Sequence, residues 1–399
     1  MIKPSSDGLP VVNTHVHMPP NFSAFTSVDD VIATAVDEGV SALGISNFYD
    51  QTVYHHFGEA AAAAGIVPLY GLEFITHVGD LERDGIRVND PANPGRFYLC
   101  GKGIDMGRAM PPTATAIRQG NDQRAAAMVG LVAAHLAAAG VEGADELSVD
   151  VIAGAVARRA GVPVEWVSLQ ERHIAMAVQE VLAKLPHDER AAALERACGR
   201  PSTVDIDDPV ALQGEIRSRL LKSGTPAFVP EVPVGFDEAY AFVLAMGGMP
   251  VYPTLADGTM PICEFETPAA DLAQKVIARN IHATELIPIR NKSAVVDEYV
   301  QAFLDAGLVV MAGTEHNTAE RIPIDPFCAD GPMSSFARQA FWQGTCVVAA
   351  HQQLVTRGQT GFVDASGERT DRTVAELADL GARIIKGEVG SDGPDRRNG

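Results

Sequence analysis

The chain has 399 residues and a hydrophobic content of 46%, which allows one large α/β domain or two ordinary ones. Its formal net charge of −20 argues against a nucleic-acid partner, because phosphate binding depends on clustered lysine and arginine. The sequence lacks an uncharged apolar run of about 18 residues, so we expect no membrane span. The five cysteines lack Cys-x-x-Cys spacing and the N-terminus lacks a signal-peptide pattern, so we expect a cytoplasmic protein with reduced thiols.

The first part of the chain alternates between strand and helix patterns. Ser27 has the position of an N-cap before two acidic residues, and Gly39 ends the helix that follows. An alanine-rich helix is predicted over 58–64. Strands are predicted over 11–13, 42–46, 67–75 and 97–100. This alternation predicts parallel βαβ units.

From about residue 105 to residue 223 the hydrophobic periodicity is helical throughout. Helices are predicted over 122–139, 149–159, 166–185, 188–198 and 209–223. Two helices around a glycine at 152–167 have a faint helix-turn-helix spacing, but their acidic surroundings favour packed helices. Because the segment follows the fourth strand, we expect a helical subdomain beside or over the mouth of an α/β barrel, where it would gate the pocket or form an oligomer contact.

Strand and helix patterns alternate again after residue 224. Strands are predicted over 249–254, 283–289 and 308–312, and helices over 236–246, 269–278, 295–306, 336–342 and 347–354. The residues after about 385 are mainly Gly, Asp, Arg and Asn, which predicts a frayed tail. The sequence thus divides into a barrel formed by 1–104 and 224–385, a helical insertion of 105–223 and a flexible tail of 386–399.

Histidine and acidic side chains of interest lie at or after predicted strands. His15 and His17 follow the first strand, Glu73 ends the third, and Glu315 follows the last. In a parallel α/β barrel the C-terminal ends of the strands form the active face. Imidazole together with carboxylate suits Zn²⁺, Mn²⁺ or Fe²⁺, and a carboxylate such as Glu73 at the end of an apolar strand needs a cation or a hydrogen-bond network. The sequence therefore predicts a metal site on this face.

At these motifs the sequence resembles the PHP (polymerase and histidinol phosphatase) family. The segments that carry the resemblance are His15-Val16-His17, Tyr70-Gly71-Leu72-Glu73, Gly247-Gly248-Met249-Pro250-Val251-Tyr252-Pro253, Glu285-Leu286-Ile287 and Gly313-Thr314-Glu315-His316. They cover roughly 10–101 and 225–320. The resemblance implies a distorted (β/α)₇ TIM-like barrel with up to three metal ions and phosphoester hydrolysis, into which the helical insertion is foreign.

The resemblance also implies how many metal ions the chain keeps. The family's first ligand set is complete as His15, His17, Glu73 and Glu315, with Glu315 in place of an aspartate. The histidines of the second site are replaced by Tyr98 and Tyr252, and an Asp-His pair of the third site by Asn47-Phe48. We therefore expect one divalent transition-metal ion per chain, Zn, Mn or Fe.

The remaining candidates are assigned to proton transfer and to substrate binding. His316, Tyr98 and Tyr252 are the catalytic candidates, although His316 could instead be a ligand or merely flank the site. Arg290 and Lys102 are candidates for holding an anionic group, against the alternative of ordinary loop charges, as for Lys292. Asn47 and Asn317 are the other substrate-binding candidates. Less favoured histidines lie farther from the strand ends or alone on helices: His55, His56, His77, His135, His173 and His187.

These assignments favour a metal-dependent hydrolase that acts on a small polar or anionic substrate. The alternatives are a single-metal lyase or isomerase acting on a sugar or sugar acid, and a catalytically silent barrel that binds a ligand or partner. The predicted partner is a small-molecule substrate, with no nucleic acid and no membrane, and a homo-oligomer stays open.

Overall fold

Seven strands form a continuous sheet that almost closes on itself, in a computed structural model that describes residues 8–231 and 234–389. Their order is β1-β2-β3-β4-β6-β7-β8, and a short β5 pairs with β3. The strands are β1 (Val11–Val16), β2 (Val40–Ile45), β3 (Val67–His77), β4 (Arg96–Lys102), β5 (Val234–Gly235), β6 (Met249–Thr254), β7 (Ala283–Leu286) and β8 (Val309–Ala312). The backbone N–H of His17 donates to the carbonyl of Glu315 at 2.7 Å, which joins the two edges. The sheet is a distorted TIM-like barrel.

One strand runs against the others, so the prediction of parallel units throughout is wrong at β4. β4 pairs antiparallel with both β3 and β6, with Cys100 opposite Glu73 and Lys102 opposite Met249. The connection from β3 contains only the five-residue helix α3 (Gly79–Arg83) and lacks the long crossover helix typical of a parallel pair. The start of β4 therefore lies at the end of the barrel where the parallel strands finish, which we call the mouth, and its end lies at the opposite end, the floor.

Helices surround the outside of the barrel. They are α1 (Val28–Asp37), α2 (Tyr54–Ala63), α9 (Phe236–Ala245), α10 (Ala269–Ile277) and α11 (Ser293–Asp305). As predicted, the Ser27 hydroxyl caps α1 by accepting from the backbone N–H of Asp30 at 3.2 Å. Outward-facing strand residues such as Leu43, Leu72 and Phe97 belong to the same buried apolar layer as these helices. Alternate residues of each strand therefore point into the barrel.

The floor is closed by α12 (Ser335–Thr356) and α13 (Val374–Ile385). The two helices predicted at 336–342 and 347–354 are one continuous helix, and α13 was not predicted. The side-chain amide of Gln352 holds α12 to the start of β3, accepting from Tyr70 N at 2.7 Å and donating to the Pro68 carbonyl at 2.9 Å. Inward-facing residues of the strands, including Leu69, Val251, Ala283 and Met311, pack on Cys346 and Val347 of α12. An apolar plug therefore fills the lower half of the barrel.

The segment between β4 and β5 consists of helices with their own hydrophobic core, which includes Met128, Ile174 and Leu220. The helices are α4 (Thr113–Ala138), α5 (Val149–Ala160), α6 (Glu171–Lys184), α7 (His187–Cys198) and α8 (Pro209–Ile216). Gln170, before α6, accepts from the N–H of Phe22 at 2.6 Å in the loop after β1. Since that loop leaves a strand at the mouth, the segment contacts the barrel there. Among the described residues, no helix has the length and apolarity needed to cross a bilayer.

Candidate metal centre

Three predicted ligands converge at the upper end of the barrel interior. His15 and His17 are two residues apart at the end of β1, a spacing that puts both side chains on one face of an extended chain. Glu73, inward-facing on β3, completes the group. The Glu73 Oε2 lies 3.0 Å from His17 Nε2 and 3.5 Å from His15 Nε2, and the two imidazole nitrogens are 3.3 Å apart. All three residues are buried, so the potential ligand atoms face one another away from solvent.

The hydrogen bonding and charge of this group suit a cation. Among the described residues, no group makes a hydrogen bond of good geometry with Glu73 Oε2 or His17 Nδ1, although both atoms are buried. Burial alone would raise the pKa of Glu73, but the close approach and charge of His15 and His17 outweigh it and hold the pKa at about 2. Burial lowers the pKa of His17 below its ordinary value. The neutral imidazole of His17 and the ionised carboxylate of Glu73 are in the protonation states that coordinate a transition metal. Burial and the charge of Lys102 lower the pKa of His15, but Glu285 outweighs them and raises that pKa well above its ordinary value, so coordination by His15 would displace a proton.

A second buried carboxylate, which the sequence analysis left without a role, orients His15 from below. Glu285 of β7 places Oε2 2.6 Å from His15 Nδ1 and accepts from the Thr14 hydroxyl at 2.6 Å. Such a pairing fixes the imidazole so that Nε2 is free to bind a metal. The signal was the one used for Glu73, an acidic residue within an otherwise apolar strand.

The ammonium of Lys102 neutralises Glu285, so the prediction that Lys102 binds substrate is wrong. Lys102 is fully buried, and its Nζ lies 2.9 Å from Glu285 Oε1 while donating to the Thr14 carbonyl at 2.7 Å and the Ser46 hydroxyl at 2.8 Å. These contacts use all three donors of the ammonium. The physical reason is the reversed direction of β4, which places its C-terminal residue inside the barrel and away from the mouth. A second group of potential ligand atoms is formed by His15, Cys100 and Glu285. In that group the ammonium of Lys102 supplies the positive charge that a metal ion would otherwise supply.

The two tyrosines lie on opposite faces of the sheet. Tyr98 shares the inner face with Cys100, one step nearer the mouth, and the charge of Glu73 is among the causes, after burial, that raise its pKa well above its ordinary value. Tyr252 points away from the interior, because its neighbour Val251 pairs with Cys100 and faces inward. The Tyr252 hydroxyl donates to Glu266 at 2.8 Å. The prediction that Tyr252 reaches the cavity is therefore wrong.

His316 is not available for catalysis or coordination, which corrects its assignment. Its Nδ1 pairs with the Thr314 hydroxyl at 2.8 Å and its Nε2 donates to the Ile322 carbonyl at 2.9 Å. Burial lowers the pKa of His316 to about 4, so the ring is neutral near pH 7. Its ring packs against Phe25, with centroids 4.9 Å apart. His316 thus supports the loop after β8.

The predicted fourth ligand and the predicted anion-binding arginine are paired at the mouth. Glu315 makes an ion pair with Arg290 through Oε2, and Asn317 donates to the same oxygen at 2.8 Å. Glu315 lies close enough to His17 to affect its pKa. The fully buried Asn47 amide, by contrast, accepts from the Met18 N–H at 2.8 Å and donates to the Met18 carbonyl at 2.9 Å. Asn47 therefore supports the loop after β1, and its assignment to substrate binding is wrong.

The less favoured histidines lie outside this centre. His56 and His187 pair with exposed aspartates, and His77 lies 3.0 Å from Glu82. His135 contacts the Ala197 carbonyl, His173 forms part of the capping box of α6, and His55 is exposed.

No family model and no curated protein matches the sequence. Several solved structures match the fold, and two of them align over most of this chain. A candidate metal-dependent phosphoesterase from Bifidobacterium adolescentis aligns with a TM-score of 0.51 and 13% identity, over 86% of this chain and 98% of that chain. An amidohydrolase from Chromobacterium violaceum, solved with bound sulfate and no metal, aligns with a TM-score of 0.50 and 18% identity, over 82% and 96%. The chain therefore has a distorted TIM-like barrel fold, which aligns with both of these structures.

Proposed function

We propose that the protein is a metal-dependent hydrolase that uses one divalent transition-metal ion and acts on a small polar or anionic substrate. The observation that carries this proposal is the convergence of His15, His17 and Glu73, with two buried polar atoms that lack good hydrogen bonds. Both structural neighbours carry names of hydrolytic enzymes, which agrees with the class of reaction. Zn, Mn and Fe fit this donor set equally.

A single ion is favoured because a lysine ammonium fills the space beside the first set of ligands. His15, Cys100 and Glu285 form the second group of potential ligand atoms among the described residues, and Lys102 already neutralises the carboxylate of that group. A second divalent ion there would be repelled by the buried ammonium. Glu315 is the candidate for a fourth ligand, since it lies at the mouth near His17.

The residues around the ion position define the chemistry that they support. Such an ion supplies Lewis-acid polarisation and a more acidic water. Glu285 holds the His15 ring through Nδ1, and Glu73 stays ionised across the neutral range. Tyr98 keeps its proton because its pKa is raised, so its hydroxyl can donate a hydrogen bond to a substrate oxygen. Arg290, at the mouth, is placed to contact an anionic group of the substrate.

Metal analysis tests the proposal directly. Protein purified without chelator should contain one equivalent of a transition metal, and Glu73→Gln should bind that metal much more weakly and lose activity. Glu59→Gln, an exposed change of the same chemistry on α2, is the control and should leave both unchanged. Two or more equivalents would contradict the single-ion proposal, and undiminished metal binding by Glu73→Gln would contradict the site.

A substrate panel then tests the reaction class. Phosphomonoesters, lactones and sugar acids should be assayed with the metal restored, in water enriched in ¹⁸O. Incorporation of the label into product is expected for a hydrolase, whereas turnover of a sugar acid without incorporation would favour the lyase or isomerase alternative. No turnover by protein with intact metal would favour the ligand-binding barrel. Arg290→Ala should mainly raise KM.

A further inference from the structure

One arginine at the barrel mouth, unlike its neighbours, has no partner within the part of the chain that the structure describes. Arg172, the second residue of α6, makes no hydrogen bond or ion pair with any described residue. Arg217 lies 2.8 Å from Glu171, Arg290 pairs with Glu315, and Arg124 lies near acidic side chains. The guanidinium of Arg172 carries five N–H donors, so the local structure leaves a strong donor group unused.

Contacts on both sides of Arg172 hold it at the mouth. Gln170 accepts from the N–H of Phe22 and donates to the Asn21 side chain at 3.0 Å. His173 packs edge-on against Phe22, with ring centroids 5.3 Å apart, and accepts from the Gln170 N–H at 3.0 Å in the capping box. The start of α6 is therefore fixed to the loop that follows the metal ligand His17. Arg172 cannot leave this position without breaking those contacts.

The electrostatic surroundings of Arg172 place it beside the candidate site. Burial, together with the charges of Arg217 and Arg290, lowers the pKa of Arg172 to about 10, while the charges of Glu315 and Glu171 act in the opposite direction. The side chain stays cationic at neutral pH, within range of Glu315 and Arg290. Three guanidinium groups and two carboxylates therefore interact here. In a chain with a net charge of −20, this is a local excess of positive charge.

We propose that Arg172, together with Arg290, binds an oxyanion group of the substrate, a carboxylate or a phosphate, above the metal ligands. A planar guanidinium binds either group through two parallel hydrogen bonds, and a partly desolvated one binds more strongly than one in water. This inference deepens the proposed function and rests on it for identifying the bound molecule as substrate. It gives the helical insertion a role in substrate specificity, because the insertion supplies the residue.

Anion binding tests the proposal without an activity assay. Calorimetric titration of the full chain, metal-free and metal-loaded, should use inorganic phosphate and D-gluconate as probes, and the tighter probe identifies the oxyanion source. Arg172→Gln should weaken binding about tenfold. Arg172→Lys should retain part of the affinity, since it keeps the charge and loses the fork geometry. Arg383→Gln, an exposed change on α13 at the floor, is the control and should bind like the wild type.

The outcomes separate this inference from the proposed function. If the wild type binds metal and neither anion, or if Arg172→Gln binds both anions normally, Arg172 is not an anion contact and the hydrolase proposal stands. If Arg172-dependent anion binding persists in a protein that takes up no metal, the hydrolase proposal fails and the oxyanion site stands. Because the Arg172 side chain makes no hydrogen bond or ion pair within residues 8–231 and 234–389, Arg172→Gln should keep the melting temperature of the wild type. A lowered melting temperature with unchanged anion affinity would show a structural role and overturn the inference.

Discussion

Replacement of Glu285 by glutamine is expected to destabilise the barrel and weaken the metal site together. The carboxylate has no exposed surface and contacts His15, Thr14 and Lys102 at 2.6, 2.6 and 2.9 Å. Removing its charge leaves the Lys102 ammonium buried without a counterion, which costs about 3–5 kcal/mol of unfolding free energy. Loss of the group that orients a metal-binding histidine typically lowers metal affinity by about 10–100-fold.

Lys102→Met should be destabilising for the reciprocal reason, and the double variant should be less damaged than the sum of the single changes. We expect the shortfall to be at least about 1 kcal/mol, because the two residues share one ion pair. Urea unfolding can be followed by Trp342, which packs in the floor of the barrel, in a Trp166→Phe background. Metal affinity is measured on the same proteins by calorimetry. Additivity within about 0.5 kcal/mol would refute the ion pair and, with it, the placement of β4.

The pH dependence of stability provides a further readout of Glu285. Burial would raise its pKa, but Lys102 and His15 lower it to about 2 from an ordinary value of 4.5. Because the pKa is lower in the folded state, the stabilisation is complete above pH 4.5 and is lost as the pH falls toward 2. Glu285→Gln should therefore have a shallower loss of stability over this interval than the wild type. An unchanged slope would contradict the assignment.

Three further predictions concern His316, the two tyrosines and the packing of α12. His316→Gln should reduce the loss of stability between pH 6.5 and 4. A folded pKa of about 4 lets the unfolded chain bind the proton first, and the resulting loss of unfolding free energy reaches about 2 kcal/mol at pH 5. The same dependence of melting temperature on pH in both proteins would contradict this. Tyr98→Phe should lower turnover of the metal-loaded enzyme with little change in melting temperature. Tyr252→Phe should lower the melting temperature with little change in turnover. Equal effects of the two changes would contradict their placement on opposite faces of the sheet. Gly344→Ala should lower the free energy of unfolding by about 1–3 kcal/mol, because a Cβ there meets the backbone of β8. The control Gly130→Ala places its Cβ in open space and should not destabilise the protein. Equal melting temperatures of the two variants would argue against the packing of α12.

The local part of the fold was predictable because its signals lie within a few residues. The N-cap Ser27, the hydrophobic periodicity and the glycines at helix ends gave the alternation of strands and helices. The proximity of His15 and His17 was predictable for the same reason, since a spacing of two residues in an extended chain puts both side chains on one face whatever the surrounding fold. Glu73 was found because a carboxylate in an apolar strand is costly to bury without a partner.

The direction of β4 was not predictable, because strand direction depends on which partners a strand finds and not on its own sequence. That single reversal moved Lys102 from the mouth to a buried ion pair with Glu285. The face occupied by Tyr252 was missed for a related reason, since it follows from the register with β4.

Local patterns were sufficient for the α/β class, for the run of helices between β4 and β5, and for the proximity of His15 and His17, whose spacing acts locally. Which other side chains surround these two histidines depends on the tertiary fold. Glu285 orients His15 across the barrel, His316 turns its nitrogens to its own loop, and Arg172 reaches the mouth from a helix far along the chain. These contacts link residues distant in sequence, and their partners are set by sheet order and packing, which no local pattern encodes.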